Sequence, residues 1–318
     1  MRFPDKNLKL SIIDVGTNNI LLLLAEKQRD KFEIVESKSS TSALGKNMKD
    51  RTLTQSAIRR TKNILGDFIS YSRFFTDNII VIGTSCSRDA NNIELISSWL
   101  WKKYKLRYLI ISGNDEAYLN GLANIDEFPH LKEFILFDIG GGSTEFTYIE
   151  NRQIKRFLSL NLGIRRLQNS FGSNTLDKES QTRKLLQELP CQKKNLPLVG
   201  IGGTVTSLAV VKHELKDYDS KFVHRTLISA TELSLLYRKI IRLNNKQLVR
   251  LIPFDPASSH IIATGTMIVN EILSYFNAEE FYISDKGFQF GILKLNNTEL
   301  LELEERSHEF AEKKNEGF

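Results

Sequence analysis

The chain contains two strand–turn–strand patterns of the same kind, and this internal repeat constrains the fold more than any other feature. In residues 10–25, LSIIDVGTNNILLLLA, an apolar strand ends at Asp14, small polar residues follow, and a second apolar strand begins. In residues 134–149 the first strand ends at Asp138, and the second begins after three glycines, a serine and a threonine. Each pattern continues through a polar turn into a third strand. The two aspartates are 124 residues apart, about one domain length, so we predict a duplicated domain.

The rest of each half alternates strands with amphipathic helices, which is typical of α/β domains. We predict one domain over residues 1–124 and a second over residues 125–297. The last helix, about residues 298–313, is expected to pack back on the first domain through Leu300, Leu301, Leu303 and Phe310. Two such domains facing each other would form a central cleft lined by the Asp-x-Gly turns.

The segment FDIGGGSTEF, residues 137–146, places bare backbone between the carboxylates of Asp138 and Glu145. A plain hairpin turn needs only two turn residues, and a P-loop is excluded because its lysine motif is absent and a strand follows. Glycine backbone lets successive N–H groups approach phosphate oxygens. The carboxylates would repel phosphate unless a divalent cation such as Mg²⁺ lay between them. The segment therefore predicts a magnesium–phosphate site, with the plain turn as the alternative.

Composition excludes several classes of protein. With 41% hydrophobic and 26% charged residues, the chain is typical of a folded globular protein. Its net charge of +6 comes from scattered Lys and Arg, which favours anionic ligands but not nucleic acid. The two cysteines, Cys86 and Cys191, form no disulfide framework or metal motif. The first ten residues lack the apolar core of a signal peptide, and the longest early apolar run is six residues, so we expect a cytoplasmic protein without membrane contact.

Six motifs, in this order, resemble those of the exopolyphosphatase and guanosine pentaphosphate phosphohydrolase (Ppx/GppA) family, within the actin-like ATPase superfamily. They are DVGTN at 14–18, TSCSRDAN at 84–91, ISGNDEA at 111–117, DIGGGSTE at 138–145, LGIRRL at 162–167 and GIGGT at 200–204. The motifs extend over nearly the whole chain. The resemblance implies a short form of two duplicated actin-like domains around a central cleft, and a hydrolase that depends on Mg²⁺ or Mn²⁺.

The resemblance also assigns roles to individual residues. Glu116 corresponds to the general base that orients the attacking water. The metal is assigned to three acids: Asp14, Asp138 and Glu145. Phosphate binding is implied for a further set: Thr17, Asn18, Arg88, Gly140, Gly141, Gly142, Ser143, Thr144, Gly203 and Thr204.

Taken alone, these residues have ordinary explanations. Glu116 would favour the first turn of its helix as any acid does, and Arg88 would form a surface ion pair. Ser143 has no histidine near it in sequence, so a catalytic triad is not indicated. Asn92 stands where a cysteine phosphatase loop beginning at Cys86 needs arginine.

The sequence departs from the family pattern around the expected phosphate path, mainly by losing basic and acidic groups. The departures are Leu21, Ala43, Lys46, Gln289 and Phe290. A weaker basic track holds a long polyanion less tightly, so we predict hydrolysis of terminal phosphates from shorter polyphosphate, with release after each cut. The alternatives are hydrolysis of guanosine pentaphosphate, a non-catalytic polyphosphate or nucleotide sensor, and a kinase. A homodimer is compatible with the resemblance.

Overall fold

The computed structural model describes residues 8–29, 31–189, 195–253 and 255–316. The chain divides into two units, one of residues 1–116 and 292–318 and the other of residues 117–291. Each unit contains one mixed β-sheet with α-helices packed on it. The domain boundaries that we expect at residues 124 and 297 stay a prediction.

The first unit is built on a five-stranded sheet. In chain order its elements are β1 (Lys9–Val15), β2 (Asn19–Gln28), β3 (Lys31–Thr41), α1 (Gln55–Arg73), β4 (Ile79–Gly83), α2 (Ser85–Asp89), α3 (Glu94–Tyr104), β5 (Tyr108–Ile110) and α4 (Gly113–Asn124), which continues into the second unit. The strand order is β3-β2-β1-β4-β5. Strands β1 to β3 form an antiparallel meander, and β4 and β5 add in parallel.

The second unit is built on a six-stranded sheet. Its elements are β6 (Glu133–Ile139), β7 (Thr144–Glu150), β8 (Gln153–Leu160), α5 (Ile164–Phe171), α6 (Thr175–Leu186), β9 (Leu198–Ile201), α7 (Gly203–Lys212), α8 (Ser220–Val223), β10 (Leu227–Ser229), α9 (Ala230–Ile240), α10 (Asn245–Leu251), a 3₁₀ turn (Ser259–Ile261), α11 (Ile262–Phe276), β11 (Glu280–Ile283) and α12 (Phe288–Ile292), after which α13 (Asn297–Glu316) returns to the first unit. The strand order is β10-β11-β9-β6-β7-β8.

The predicted repeat is present in both sheets. Strands β6 to β8 form the same antiparallel meander as β1 to β3, and β9 pairs in parallel with β6 as β4 does with β1. Asp14 pairs with Leu21 in the first meander, and Asp138 pairs with Glu145 in the second. Both middle strands shift register at the same point, three to four residues after these partners. A shared irregularity of this kind indicates that one backbone arrangement occurs twice.

Each unit has its own apolar core, formed where the buried faces of its sheet meet its helices. In the first unit the largest fully buried side chains include Ile13, Leu22 and Leu44, and in the second they include Phe137 and Phe146. Each such side chain contributes about 1.5–3 kcal/mol when buried. Within the described residues, no helix combines the length and apolar character needed to cross a bilayer.

Helix α13 packs against the edge strand β5 of the first unit. The backbone N–H of Ile110 donates to the hydroxyl of Ser307 at 2.8 Å, and Leu300 and Leu303 are buried. Leu301 is 41% exposed, so the expectation that it belongs to the packed face is wrong. The reason is spacing, because residues 300, 303 and 307 share one face of the helix and residue 301 does not. The side chain of Phe310 lies outside the described residues.

Candidate active site

Two carboxylates lie opposite each other at the end of the hairpin formed by β6 and β7. Asp138 is the Cα partner of Glu145 across the antiparallel ladder, so both side chains project from the same face of the sheet. The hairpin closes with a hydrogen bond from the N–H of Gly140 to the carbonyl of Ser143 at 3.0 Å. Like charges directly opposite each other destabilise a sheet. A cation would remove that cost.

The glycine loop between the two carboxylates is held from behind by the start of α5. The N–H groups of Ile164 and Arg165 donate to the carbonyls of Gly140 and Gly141 at 3.1 and 2.7 Å. Among the described residues, the N–H groups of Gly141 and Gly142 have no hydrogen-bond acceptor. A loop whose carbonyls are bound and whose adjacent N–H groups are not can accept an anion.

Gly163 allows this close approach between α5 and the loop. A Cβ atom at residue 163 would lie 2.3–2.5 Å from the backbone atoms of Gly142, far inside the normal carbon contact distance of about 3.5–4.0 Å. Only glycine therefore fits at this position without moving the loop. The side chain of Arg166 adds a further hydrogen bond, from Nε to the carbonyl of Gly142 at 2.7 Å.

The N-terminus of α7 lies next to the same carboxylates. Strand β9 is parallel to β6 and pairs Ile201 with Asp138, and Gly202 follows with a left-handed φ of +96°. A Cβ atom at Gly202 would lie 2.7 Å from Oδ1 of Asp138. No side chain caps α7, and within the described residues the N–H groups of Gly203 and Thr204 have no acceptor. Free N–H groups at a helix N-terminus attract anions such as phosphate.

Helix α4 contributes a third carboxylate, that of Glu116. Its Oε2 accepts a hydrogen bond from Nη1 of Arg88 at 2.9 Å, and the same nitrogen donates to the carbonyl of Ile111 at 2.9 Å. Both side chains are mostly buried, with about a tenth of their surface exposed. Burial raises the pKa of Glu116, and the Arg88 guanidinium offsets this only in part, so the net shift is upward.

The structure brings Glu116, Asp138 and Glu145 together. One oxygen from each lies within 4.8 Å of the others. The Glu145 carboxylate also accepts a hydrogen bond from the Ser159 hydroxyl at 2.7 Å. Three clustered and largely buried carboxylates repel one another strongly unless a cation neutralises them. Carboxylate oxygens are also the hard donor atoms that Mg²⁺ and Mn²⁺ prefer as ligands. The residues present therefore fit a divalent cation.

The remaining predicted residues of the first unit gather at the turn after β1. Thr17 and Asn18 are buried, and their carbonyls accept hydrogen bonds from the N–H groups of Gly45 and Ala43 at 2.9 and 2.7 Å. Asp14 is the next-to-last residue of β1 and is not one of the three clustered acids. The segment that departs from the family pattern at residues 43–47 is thus packed on the turn that carries the predicted phosphate ligands.

Sequence reasoning missed three polar residues that contact these segments. Asn120 donates to Asp138, Arg166 donates to the glycine loop, and Arg60 donates to the carbonyl of Ser42, beside the turn after β1. A usable signal existed for Asn120, which follows Glu116 by four residues and so shares its helix face, and for Arg166, which lies within the LGIRRL motif. The bonding partners of Arg60 and Arg166 lie at least 18 residues away, and no local pattern predicts them.

Comparisons with known proteins show what the chain is similar to. A family model described as the Ppx/GppA phosphatase family matches residues 23–297. The chain is 32% identical over 303 residues to a bifunctional 3-dehydroquinate synthase/phosphatase of Fusobacterium nucleatum, a match that covers 88% of this chain but 45% of that protein. It is 26% identical over 287 residues to exopolyphosphatase 2 of Mycobacterium tuberculosis, which covers 83% of this chain and 89% of that protein.

A solved structure shows the same fold. The crystal structure of an exopolyphosphatase from Cytophaga hutchinsonii matches with a TM-score of 0.81 at 21% identity and covers 90% of this chain and 96% of that one. At this identity the likeness concerns the fold alone. Together with the two mixed sheets, it confirms the predicted α/β fold class of two duplicated actin-like domains.

Proposed function

Because this chain belongs to the Ppx/GppA phosphatase family, we propose that it hydrolyses the terminal phosphoanhydride bond of inorganic polyphosphate and releases orthophosphate. The observation that carries the proposal is the cluster of Glu116, Asp138 and Glu145 next to two groups of backbone N–H that lack acceptors among the described residues. Phosphoryl transfer needs positioning and neutralised charge more than covalent chemistry. This arrangement offers both, and the likeness to exopolyphosphatase 2 supports the substrate class.

Glu116 is the group we assign to the attacking water. A carboxylate accepts a proton best when its pKa is close to the working pH, and burial moves the pKa of Glu116 in that direction. The hydrogen bond from Arg88 holds one of its oxygens in place, which leaves the other to accept the proton of water. A direct role for Arg88 in binding phosphate stays a prediction.

Asp138 and Glu145 are the residues we assign to a divalent cation, Mg²⁺ or Mn²⁺. When bound, such a cation neutralises charge on the phosphate that is transferred. The two acids lie on neighbouring strands of one hairpin, so the sheet keeps their separation constant. A contribution from Asp14 stays a prediction.

The glycine loop and the start of α7 are the segments we assign to phosphate. Gly141 and Gly142 offer adjacent N–H groups on one side of Asp138, and Gly203 and Thr204 offer two more at a helix N-terminus. Backbone donors of this kind are pre-oriented and need no rearrangement to stabilise charge. The predicted contacts of Thr17 and Asn18 in the first unit belong to the same proposal.

Chain length is the finer part of the proposal. At the positions that depart from the family, Lys46 is exposed and Gln289 is buried and uncharged. Each surface charge contact contributes little and is screened by salt. We therefore expect release after each cut, with intermediate lengths accumulating on a gel of partly digested polyphosphate. Disappearance of long chains without intermediates would contradict this.

The decisive experiment compares phosphate release from polyphosphate and from guanosine pentaphosphate in parallel, with Mg²⁺ and with chelator. Wild-type protein should cleave polyphosphate only with metal, and Glu116→Gln should lower kcat by about 10²-fold or more. The matched control is Asp115→Asn, because Asp115 is adjacent but bonds Ser112 and Arg306 instead. Rapid cleavage of the pentaphosphate with inert polyphosphate would support the alternative substrate. Binding of either compound without turnover would support a sensor.

A further inference from the structure

Helix α4 carries a second polar side chain that contacts the acid cluster directly. Asn120 lies one turn after Glu116, is 1% exposed and donates Nδ2–H to Oδ2 of Asp138 at 2.9 Å. Its own Oδ1 is buried without a hydrogen-bond partner among the described residues. An unsatisfied buried oxygen costs stability, and an apolar side chain would fill this position without that cost. Packing alone therefore does not explain an asparagine here.

The helix that carries this amide is tightly fixed on the second unit. The Thr147 hydroxyl on β7 donates to the carbonyl of Ala117 at 2.7 Å. Two glycines allow α4 to pack closely against its neighbours. A Cβ atom at Gly121 would lie 2.8 Å from side-chain atoms of Thr147 and Ile154, and a Cβ atom at Gly291 would lie 2.0 Å from the carbonyl oxygen of Leu119. Because α4 has little freedom to shift, the donor of Asn120 has little freedom too.

Asn124, one turn further along, is a second buried amide on the same helix and serves as the comparison. Its Nδ2 donates to the carbonyl of Asn120 at 2.9 Å and to that of Lys286 at 2.8 Å. Asn124 is as buried as Asn120, and its Oδ1 is likewise without a hydrogen bond in the described residues. It differs from Asn120 in that its Nδ2 bonds backbone carbonyls and not a carboxylate.

We infer that Asn120 is a positioning residue for the cation site, acting through Asp138. Its N–H binds Oδ2, and a Cβ atom at Gly202 would lie only 2.7 Å from Oδ1. A hydrogen bond to an ionised acceptor is stronger than one between neutral groups, so it restrains the rotation of the carboxylate. Partners of this kind orient ligand oxygens and typically change metal affinity by about 10–100-fold. The inference deepens the proposed function, on which it rests only for the use of a divalent cation.

The test measures Mn²⁺ binding without any substrate, by the electron paramagnetic resonance signal of free Mn²⁺. We expect Asn120→Leu and the smaller Asn120→Ala to raise the dissociation constant at least about tenfold. The matched control, Asn124→Leu, removes an equally buried amide and should leave Mn²⁺ binding unchanged. Thermal unfolding of each variant in chelator separates loss of fold from loss of binding, and the alanine variant keeps the test valid if leucine does not fit.

Three results would overturn the inference. The first is unchanged Mn²⁺ affinity in a folded Asn120 variant, and the second is an equal loss of affinity in Asn124→Leu, which would show a general effect of α4. The third is wild-type protein that binds no Mn²⁺ at millimolar concentration. Wild-type protein that binds Mn²⁺ but cleaves neither polyphosphate nor pentaphosphate would refute the proposed function alone, and the Asn120 comparison would still decide this inference.

Discussion

Replacing Gly163 by alanine tests whether the glycine loop must lie where α5 holds it. The added Cβ would meet Gly142 at 2.3 Å from its carbonyl carbon, 2.4 Å from its Cα and 2.5 Å from its nitrogen. These are backbone atoms, which cannot rotate away as a flexible side chain can. Carbon atoms in contact are normally about 3.5–4.0 Å apart. Either the loop or the start of α5 must therefore move by about 1 Å or more.

The size of the effect follows from that displacement. Overpacking of this kind costs about 1–3 kcal/mol, which lowers the melting temperature by about 2–4 °C for each kcal/mol in a domain of this size. Displacement of a substrate-binding group by about 1 Å can reduce catalysis by about 10²-fold. We therefore expect Gly163→Ala to lose several degrees of melting temperature and most of its kcat, because it displaces the N–H groups of Gly141 and Gly142, which we propose bind phosphate.

The assay is phosphate release from polyphosphate together with thermal unfolding, on Gly163→Ala and on the control Gly287→Ala. A Cβ atom at Gly287 would meet nothing within 4 Å, and its φ is not in the left-handed region. The control should behave as wild type. A Gly163→Ala protein with normal kcat and normal melting temperature would refute the packing argument, and one with a lower melting temperature but normal kcat would remove the loop from phosphate binding.

Three further predictions concern charge and the helix that ends the chain. Asp138→Asn should raise the half-saturating Mg²⁺ concentration for phosphate release by at least about tenfold. It should not lower the melting temperature in chelator, because it neutralises one of three clustered acids. Unchanged metal dependence would contradict the assignment of Asp138 to the cation. Hydrogen bonds from His224 and Lys286 lower the pKa of Glu127 to about 2. The ionised Glu127 therefore stabilises the folded protein by about 1–3 kcal/mol above its unfolded pKa of about 4.3, and this contribution is lost as pH falls through about 2. Urea midpoints of wild type and Glu127→Gln should therefore differ at pH 7 and converge near pH 2, and a constant difference would be inconsistent with this. Ser307→Ala should lower the free energy of unfolding by about 1 kcal/mol, since it removes the acceptor of the Ile110 N–H; an unchanged urea midpoint would show that the bond contributes nothing.

The parts of the site that depend on neighbours in sequence were predictable. Asp138 and Glu145 are separated by one turn, so alternation along two strands is enough to place them opposite each other. The helix that carries Glu116 and the turn before Thr204 follow from equally local patterns. The prediction of the fold class, which is confirmed, rested on the internal repeat, because the repeat gives the same strand arrangement in both units.

The rest depends on contacts between distant segments. Asn120 contacts a strand 18 residues away, and its role appears only when α4 is placed on the sheet. Gly163 looks like an ordinary residue before a helix, and its necessity is visible only against the backbone of Gly142. Leu301 was expected to pack because it is apolar, but the helix face is chosen by the position of β5, which one sequence does not reveal.

The order in which the chain is synthesised differs from the order in which its units can be completed. The second unit uses one continuous stretch, residues 117–291, whereas the first needs residues 292–318 as well. Strand β5 bonds Ser307 across 197 residues. When residue 291 has been synthesised but residue 307 has not, the second unit therefore has all its residues, whereas the sheet of the first unit still has an open edge at β5. Exposed edges of this kind pair readily with other chains, so the half of the protein made first is the half that stays vulnerable to aggregation longest.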